Sequence, residues 1–193
     1  MKKSIIISII AVSAILFSFT SKENSTWQLD KVHSKLGFTV THLMVSDVEG
    51  WFRVFDAKLI SSKDDFSDAS VEMTAQVNSI NTENEQRDTH LKSPDFFDAV
   101  KYATITFKSS KFKRVNETNI IVTGDLTMHG ITKTIDLGVY CRIGTNPNSK
   151  QSVAGFKITG MINRSDFGIG NSVTTALVSD EVSLISNVEF IKN

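Results

Sequence analysis

Apolar residues alternate with polar ones at every second position through most of this chain, from Leu36 to Phe190. That period gives an extended segment one apolar face, so it predicts half-buried β-strands. Leu36, Phe38, Val40 and His42 share one face of a first strand. Gly50, Phe52 and Val54 share a face of the second, whose other face carries Trp51, Phe55 and Leu59. Val71, Met73, Ala75 and Val77 make the third, and Ala103, Ile105 and Phe107 the fourth. Ile120, Val122, Leu126 and Met128 form the fifth, followed by a turn at His129-Gly130. Ile131, Ile135, Leu137, Val139, Cys141 and Ile143 give the sixth. Phe156, Ile158, Gly160 and Ile162 give the seventh, and Val182, Leu184, Val188 and Phe190 the eighth. Residues 61–70 and 144–152 are rich in Ser, Asp, Asn and Gly and read as turns. Connections this short suit antiparallel neighbours. The chain is therefore expected to be all-β, with eight antiparallel strands in a sandwich or an up-and-down barrel.

Two stretches break the pattern. Residues 48–60 are apolar on both faces, so one face needs a second contact, with a helix, a lipid or another copy of the chain. A homodimer is the expectation drawn from this. Residues 87–99, RDTHLKSPDFFDA, are polar and helix-prone inside a strand sequence. Thr82 and Glu85 fit a capping box, predicting a helix from Asn81 or Thr82 to Lys92. With Leu91 as its one large apolar residue, that helix needs specific contacts to hold it. Ser93-Pro94 predicts a second short helix, with Phe96 and Phe97 pointing different ways. One would plug a barrel end and the other pack beside it.

The N-terminus stands apart. Lys2 and Lys3 precede an uncharged apolar run over residues 5–19. This is signal-peptide length and short for a spanning helix. Residues 1–21 are expected to be a signal peptide and 22–193 one barrel domain, periplasmic or secreted. Without Lys2 and Lys3, nineteen basic residues face twenty-one acidic ones, a net charge of −2. Such a balance does not suit nucleic acid. Cys141 stands alone, which excludes an internal disulfide framework.

The four histidines, His33, His42, His90 and His129, lack local metal-ligand spacing. No nucleophile elbow, Walker loop or dinucleotide fingerprint occurs. No catalytic residue, metal or cofactor is expected. Arg164 either faces a ligand head group or pairs with Asp166. Arg87 and Asp88 either recognise a head group or fix the helix as an ion pair or cap.

Several motifs fall in register. They are Trp27-x-Leu29-Asp30-x-x-His33-Ser34, Phe38-x-Val40-x-His42-Leu43 and Val48-x-Gly50-x-Phe52. Ser79-Ile80-x-Thr82 then leads into Arg87-Asp88-x-His90-Leu91 and Phe96-Phe97-Asp98-Ala99. Gly124-Asp125-Leu126-Thr127-x-His129-Gly130-x-Thr132-Lys133 and Arg164-Ser165-Asp166-Phe167-Gly168-Ile169 follow. In these the chain resembles the YceI-like, polyisoprenoid-binding family. One departure is Ala103 after Tyr102, where the family commonly has Pro. A strand beginning one residue earlier is expected from it.

The resemblance implies an eight-stranded, lipocalin-like antiparallel barrel, with the helical insert between strands three and four. It also implies a non-enzymatic carrier or storage protein that holds a long-chain isoprenoid, of polyprenyl or quinone type. Phe38, Val40, His42, Phe52, Val54, Phe97, Ile105, Phe107, Ile158 and Ile162 are the expected lipid-contacting residues. Arg87, Asp88, His90 and Arg164 are expected at the head group or lid. Transient membrane contact would accompany loading. A filled core needs the same alternation, so an enzyme with a barrel pocket and a solid interaction module remain alternatives at this point.

Overall fold

The computed structural model describes residues 24–193; the expected signal peptide lies outside them. Ten strands form one sheet: β1 (Ser25–His42), β2 (Ser46–Phe52), β3 (Phe55–Ser61), β4 (Ser70–Gln76), β5 (Ile80–Asn81), β6 (Thr104–Arg114), β7 (Asn119–Met128), β8 (Ile131–Thr145), β9 (Ser152–Asn163) and β10 (Val178–Lys192). The helix α1 (Glu85–Lys92) separates β5 from β6. β6 to β10 form a continuous meander, and β10 returns to pair with β1 along most of its length.

Ten strands give eight barrel positions. β2 pairs with the later part of β1, from Leu36–Phe52 to His42–Ser46, while β3 pairs with its start, from Ser25–Ser61 to Gln28–Lys58. The two therefore occupy successive lengths of one position. β5 pairs with β2, and β4 with β3, so β4 and β5 share the next. The result is the closed eight-stranded antiparallel barrel, with α1 between its third and fourth positions.

The break between β2 and β3 corrects the two-faced reading of residues 48–60. Val48 and Phe52 face inward on β2, and Phe55, Ala57 and Leu59 face inward on β3. The parity changes at Arg53-Val54, where the strand is interrupted. The Val54 amide is taken by Ser79 Oγ (3.0 Å), and its carbonyl accepts from the Gln76 amide (2.9 Å). Residues 48–60 are two one-faced segments rather than one two-faced strand, and the ground for a homodimer goes with the two-faced strand. A second phase change sits in β6, whose register on β7 shifts between Ser109 and Lys111. One extra residue turns Phe112 inward where strict alternation from Ile105 and Phe107 would turn it out.

The end of the barrel away from α1 is packed shut. Phe66 is fully buried in an otherwise polar loop, and its ring lies 5.1 Å from Trp27 and 5.2 Å from Phe156. Asp68 holds that loop in place. Its carboxylate accepts from Ser61 Oγ at 2.7 Å, from Ser62 Oγ, and from the Ser62 and Lys63 amides. These donors, the Ser62 hydroxyl first, hold the Asp68 carboxyl well below the usual carboxylate range. A group shifted this way adds stability above the ordinary carboxylate pKa, about 4, and loses it as pH falls toward its folded value. Asp68→Asn should therefore lower Tm at neutral pH and make acid destabilisation below about pH 4 shallower. Thermal melts across that range check this, and parallel curves for the two proteins would count against it.

Cys141 is buried on the inward face of β8, and burial pushes its thiol up to about 11. The turn at His129-Gly130 forms as expected, with both residues at positive φ (52° and 76°). β6 begins at Thr104 rather than Ala103, which enters through its carbonyl by accepting from the Val77 amide.

Candidate functional site

The inward faces of the strands do not meet. They enclose a cavity of about 580 Å³. Leu36, Phe38, Ala57, Val71, Met73, Ile135, Leu137, Ile158, Val182, Leu184 and Val188 all line it, yet each is only half-buried. Inward residues of a filled barrel would be wholly buried, so partial exposure here means exposure to the cavity. Leu59, Phe156 and Phe190 lie at its base, above Phe66 and Trp27.

Most polar lining groups belong to the other end. Thr82, Arg87 and His90 come from the α1 region, His42 from the last residue of β1, and Arg164 from a 3₁₀ turn after β9. Ser186 is an exception, partway along β10. The arrangement is a deep apolar pocket with polar groups at one mouth. Such a pocket suits an amphiphile held tail-inward.

Of the residues expected to contact lipid, Phe38, Val40, His42, Phe52, Phe97, Ile105, Phe107, Ile158 and Ile162 line the cavity. Val54 does not. It sits in the break between β2 and β3, 57% exposed, because the phase change turns it outward. Phe112, Leu137, Val182 and Leu184 line the wall but were absent from the expected contacts. The last three sit on alternation faces already visible in the sequence. Phe112 is hidden by the β6 bulge.

The α1 region differs from expectation in its cap. Asn84, not Thr82, is the N-cap, accepting from the Arg87 amide at 3.0 Å. Thr82 instead joins the two charged residues. Its hydroxyl donates to Asp88 Oδ1 (2.6 Å) and accepts from Arg87 Nε (2.7 Å), while its amide also donates to Asp88 Oδ1 (2.8 Å). Asp88 is thus buried, bonded to the amide and hydroxyl of Thr82, and absent from the cavity lining, which removes it from the head-group set. Arg87 Nη2 donates to the Thr82 carbonyl at 2.8 Å, and Nη1 makes no protein hydrogen bond among the described residues. His90 is exposed, stacks edge-on against Phe96 at 4.9 Å, and approaches Asp95 at 3.4 Å. The segment after Ser93 is a run of turns rather than a second helix. Both Phe96 and Phe97 line the cavity, Phe97 edge-on to Phe52 at 5.9 Å.

Arg164 is the largest correction. It is buried, and it does not pair with Asp166, which lies 3.7 Å from Lys133 instead. Its Nε donates to the Ser179 carbonyl, Nη1 to Ile169 and Gly170, and Nη2 to Val173 and Val178. All five guanidinium donors are used on backbone. Arg164 builds the loop that carries Ile169, Val173 and Leu177 into the cavity wall, and has no donor left for a ligand.

Away from the pocket, Asp30, His33 and Glu189 bring ligand-type atoms within 4.8 Å of one another. Asp30 Oδ1 accepts the Val32 and His33 amides, and Oδ2 meets His33 Nδ1 at 2.9 Å. That contact holds the Asp30 carboxyl below its usual range and His33 above its own. These bonds pin the irregular stretch where the register of β1 on β10 shifts.

A family model described as the YceI-like domain matches residues 27–190. The chain belongs to the YceI-like family. A UPF0312 protein of Staphylococcus aureus is 39% identical over 168 residues, covering 86% of this chain and 94% of that one. A Campylobacter jejuni YceI protein superposes with a TM-score of 0.73 at 34% identity, covering 86% of this chain and 96% of the other. A polyisoprenoid binding domain from Saccharophagus degradans superposes with a TM-score of 0.67 over 86% of this chain and 98% of its own. At 15% identity that last likeness is one of fold. The motifs at Thr82–Asp88, Phe96-Phe97 and Arg164 lie inside the matched span, and their residues make the contacts that build the pocket mouth.

Proposed function

We propose that this protein is an exported carrier or storage protein that holds a long-chain isoprenoid, of polyprenyl or quinone type, in the barrel cavity. One observation carries the reading: a cavity of about 580 Å³ with an apolar wall, packed shut at the Phe66 end and polar at the other. Burying one five-carbon isoprene unit is worth about 4 kcal/mol at 0.8 kcal/mol per CH₂. A tail of several units therefore needs a dry enclosure to cross water. Arg87 Nη1, His90 and His42 stand where a polar head would emerge. Asp88 and Arg164 hold the mouth in shape and take no part in binding. The basic residues and apolar run at the N-terminus support export to a periplasmic or extracellular location.

Protein recovered after export and extracted with organic solvent should release about one equivalent of isoprenoid lipid in the mass spectrum. Delipidated protein should take up added polyprenol or quinone, and Arg87→Ala should weaken a charged-head ligand more than a neutral one. Lipid-free protein that also refuses both ligands would sink the reading.

A further inference from the structure

The hairpin joining β1 to β2 carries an anomaly that the pocket does not explain. Its turn is closed by the Val45 amide donating to the His42 carbonyl (3.1 Å), with Leu43 and Met44 both at positive φ (52° and 59°). That geometry favours Asn-Gly and penalises bulky side chains. The chain has a better solution for the same geometry, because the β7–β8 turn at this end of the barrel uses His129-Gly130. At the β1–β2 turn it places large apolar residues instead and leaves them in water. Leu43 is 49% exposed, Met44 78% and Val45 81%. Leu177, 48% exposed, extends the patch, since the Leu43 amide donates to its carbonyl at 2.9 Å.

The patch is continuous with the cavity. Leu177 itself lines the wall, as do His42 and Val48 at the two ends of the hairpin and Val178 beside it. The hairpin forms part of the mouth's wall. Gly50 lies against Thr82, and the strand pair runs on from there through Val40–Val48 to His42–Ser46, where the Leu43-Met44-Val45 turn begins. No formal charge falls between His42 and Asp47, whose carboxylate accepts from Thr41 Oγ1. Strain kept at a site that folding does not require points to function.

We infer that the Leu43-Met44-Val45 tip, with Leu177, seats the mouth of the barrel on a lipid bilayer, so that an isoprenoid passes between membrane and cavity without crossing water. The inference rests on the lipid-binding reading above and adds its partner surface. A bilayer is the occupant that fits, because the ligand resides there and the apolar tip joins the apolar wall on one side of the mouth, through Leu177 and Val178.

The test has two arms. Met44→Cys labelled with an environment-sensitive fluorophore is mixed with phosphatidylethanolamine–phosphatidylglycerol vesicles. Cys141, buried with a raised pKa, stays unlabelled. The label should brighten with vesicles and be quenched by acyl-brominated lipid, while one at Asn148→Cys, in the β8–β9 turn at the other end, should not respond. In the second arm, Leu43→Asn/Met44→Gly installs the residues the turn prefers. It should melt no lower than wild type and bind detergent-delivered polyprenol normally, yet take polyprenol from vesicles at least about tenfold more slowly. Wild-type transfer rates in that variant, or a Met44 label that responds to protein concentration and not to vesicles, would overturn the inference. Failure of the wild type to bind detergent-delivered polyprenol would overturn the carrier reading alone, with the label still deciding the membrane contact.

Discussion

Replacing Arg164 with Met is expected to cost about 3–5 kcal/mol of stability, the range for breaking a buried, fully bonded charge. Met fills the space of the aliphatic stem but donates nothing. The carbonyls of Ile169, Gly170, Val173, Val178 and Ser179 would then lose their shared partner at once. An unpaired buried polar group costs about 1–3 kcal/mol, so the loop would open to water rather than keep five such groups dry. For a domain of this size the Tm should fall by roughly 6–20 °C. Hydrogen exchange should rise first across residues 168–178. Arg164→Lys should recover little, because an ammonium has three donors and no planar fork to reach carbonyls on several sides. Ligand affinity should fall with the loop, since Ile169, Val173 and Leu177 belong to the wall. A melt within about 1 kcal/mol of wild type would mean that these bonds are dispensable.

Arg164 also marks where reading the sequence reaches its end. A period of two fixes which face of a strand is buried, and that information is local. It placed the eight barrel positions, and it put eight of the nine strand residues expected to contact lipid on the cavity wall. It carries no record of where the phase slips. Alternation from Gly50 and Phe52 turns Val54 inward, and the interruption at Arg53-Val54 reverses the sign. Phe112 was missed for the same reason on β6, where one extra residue near Ser110 does the reversing. Long-range polar contacts are harder still. Arg164 Nε reaches a carbonyl fifteen residues away, and nothing in Arg-Ser-Asp-Phe-Gly announces it. Phe66 did leave a signal. A lone large aromatic amid Ser, Lys and Asp has no reason to sit in a solvated turn, and its full burial over Trp27 and Phe156 is what closes the barrel.

Alternation alone leaves one question open, because a hollow barrel and a solid one need the same pattern. Ala57→Phe is expected to separate them by the sign of its effect. Ala57 lies between Phe55 and Leu59 on the inward face of β3, opposite Met73 on β4, and is the smallest residue with a Cβ in the cavity wall. It is half-buried despite facing inward. In a filled core, an added ring would force neighbours off their rotamers and cost about 1–3 kcal/mol. In the cavity described here the ring enters space already open and gains contacts with the wall, so the Tm should hold or rise. The same ring takes room from the ligand. Excluding even one isoprene unit forfeits about 4 kcal/mol of burial, so affinity for a long polyprenol should drop by several hundredfold. A shorter homologue that leaves the space beside Ala57 empty should bind as before. Phe is preferred to Trp because it brings no polar N–H that would need a partner in an apolar wall. Calorimetric melting and ligand titration on one purified variant read both effects. A lower Tm with unchanged affinity would show that the barrel is packed at this level and that any ligand sits elsewhere.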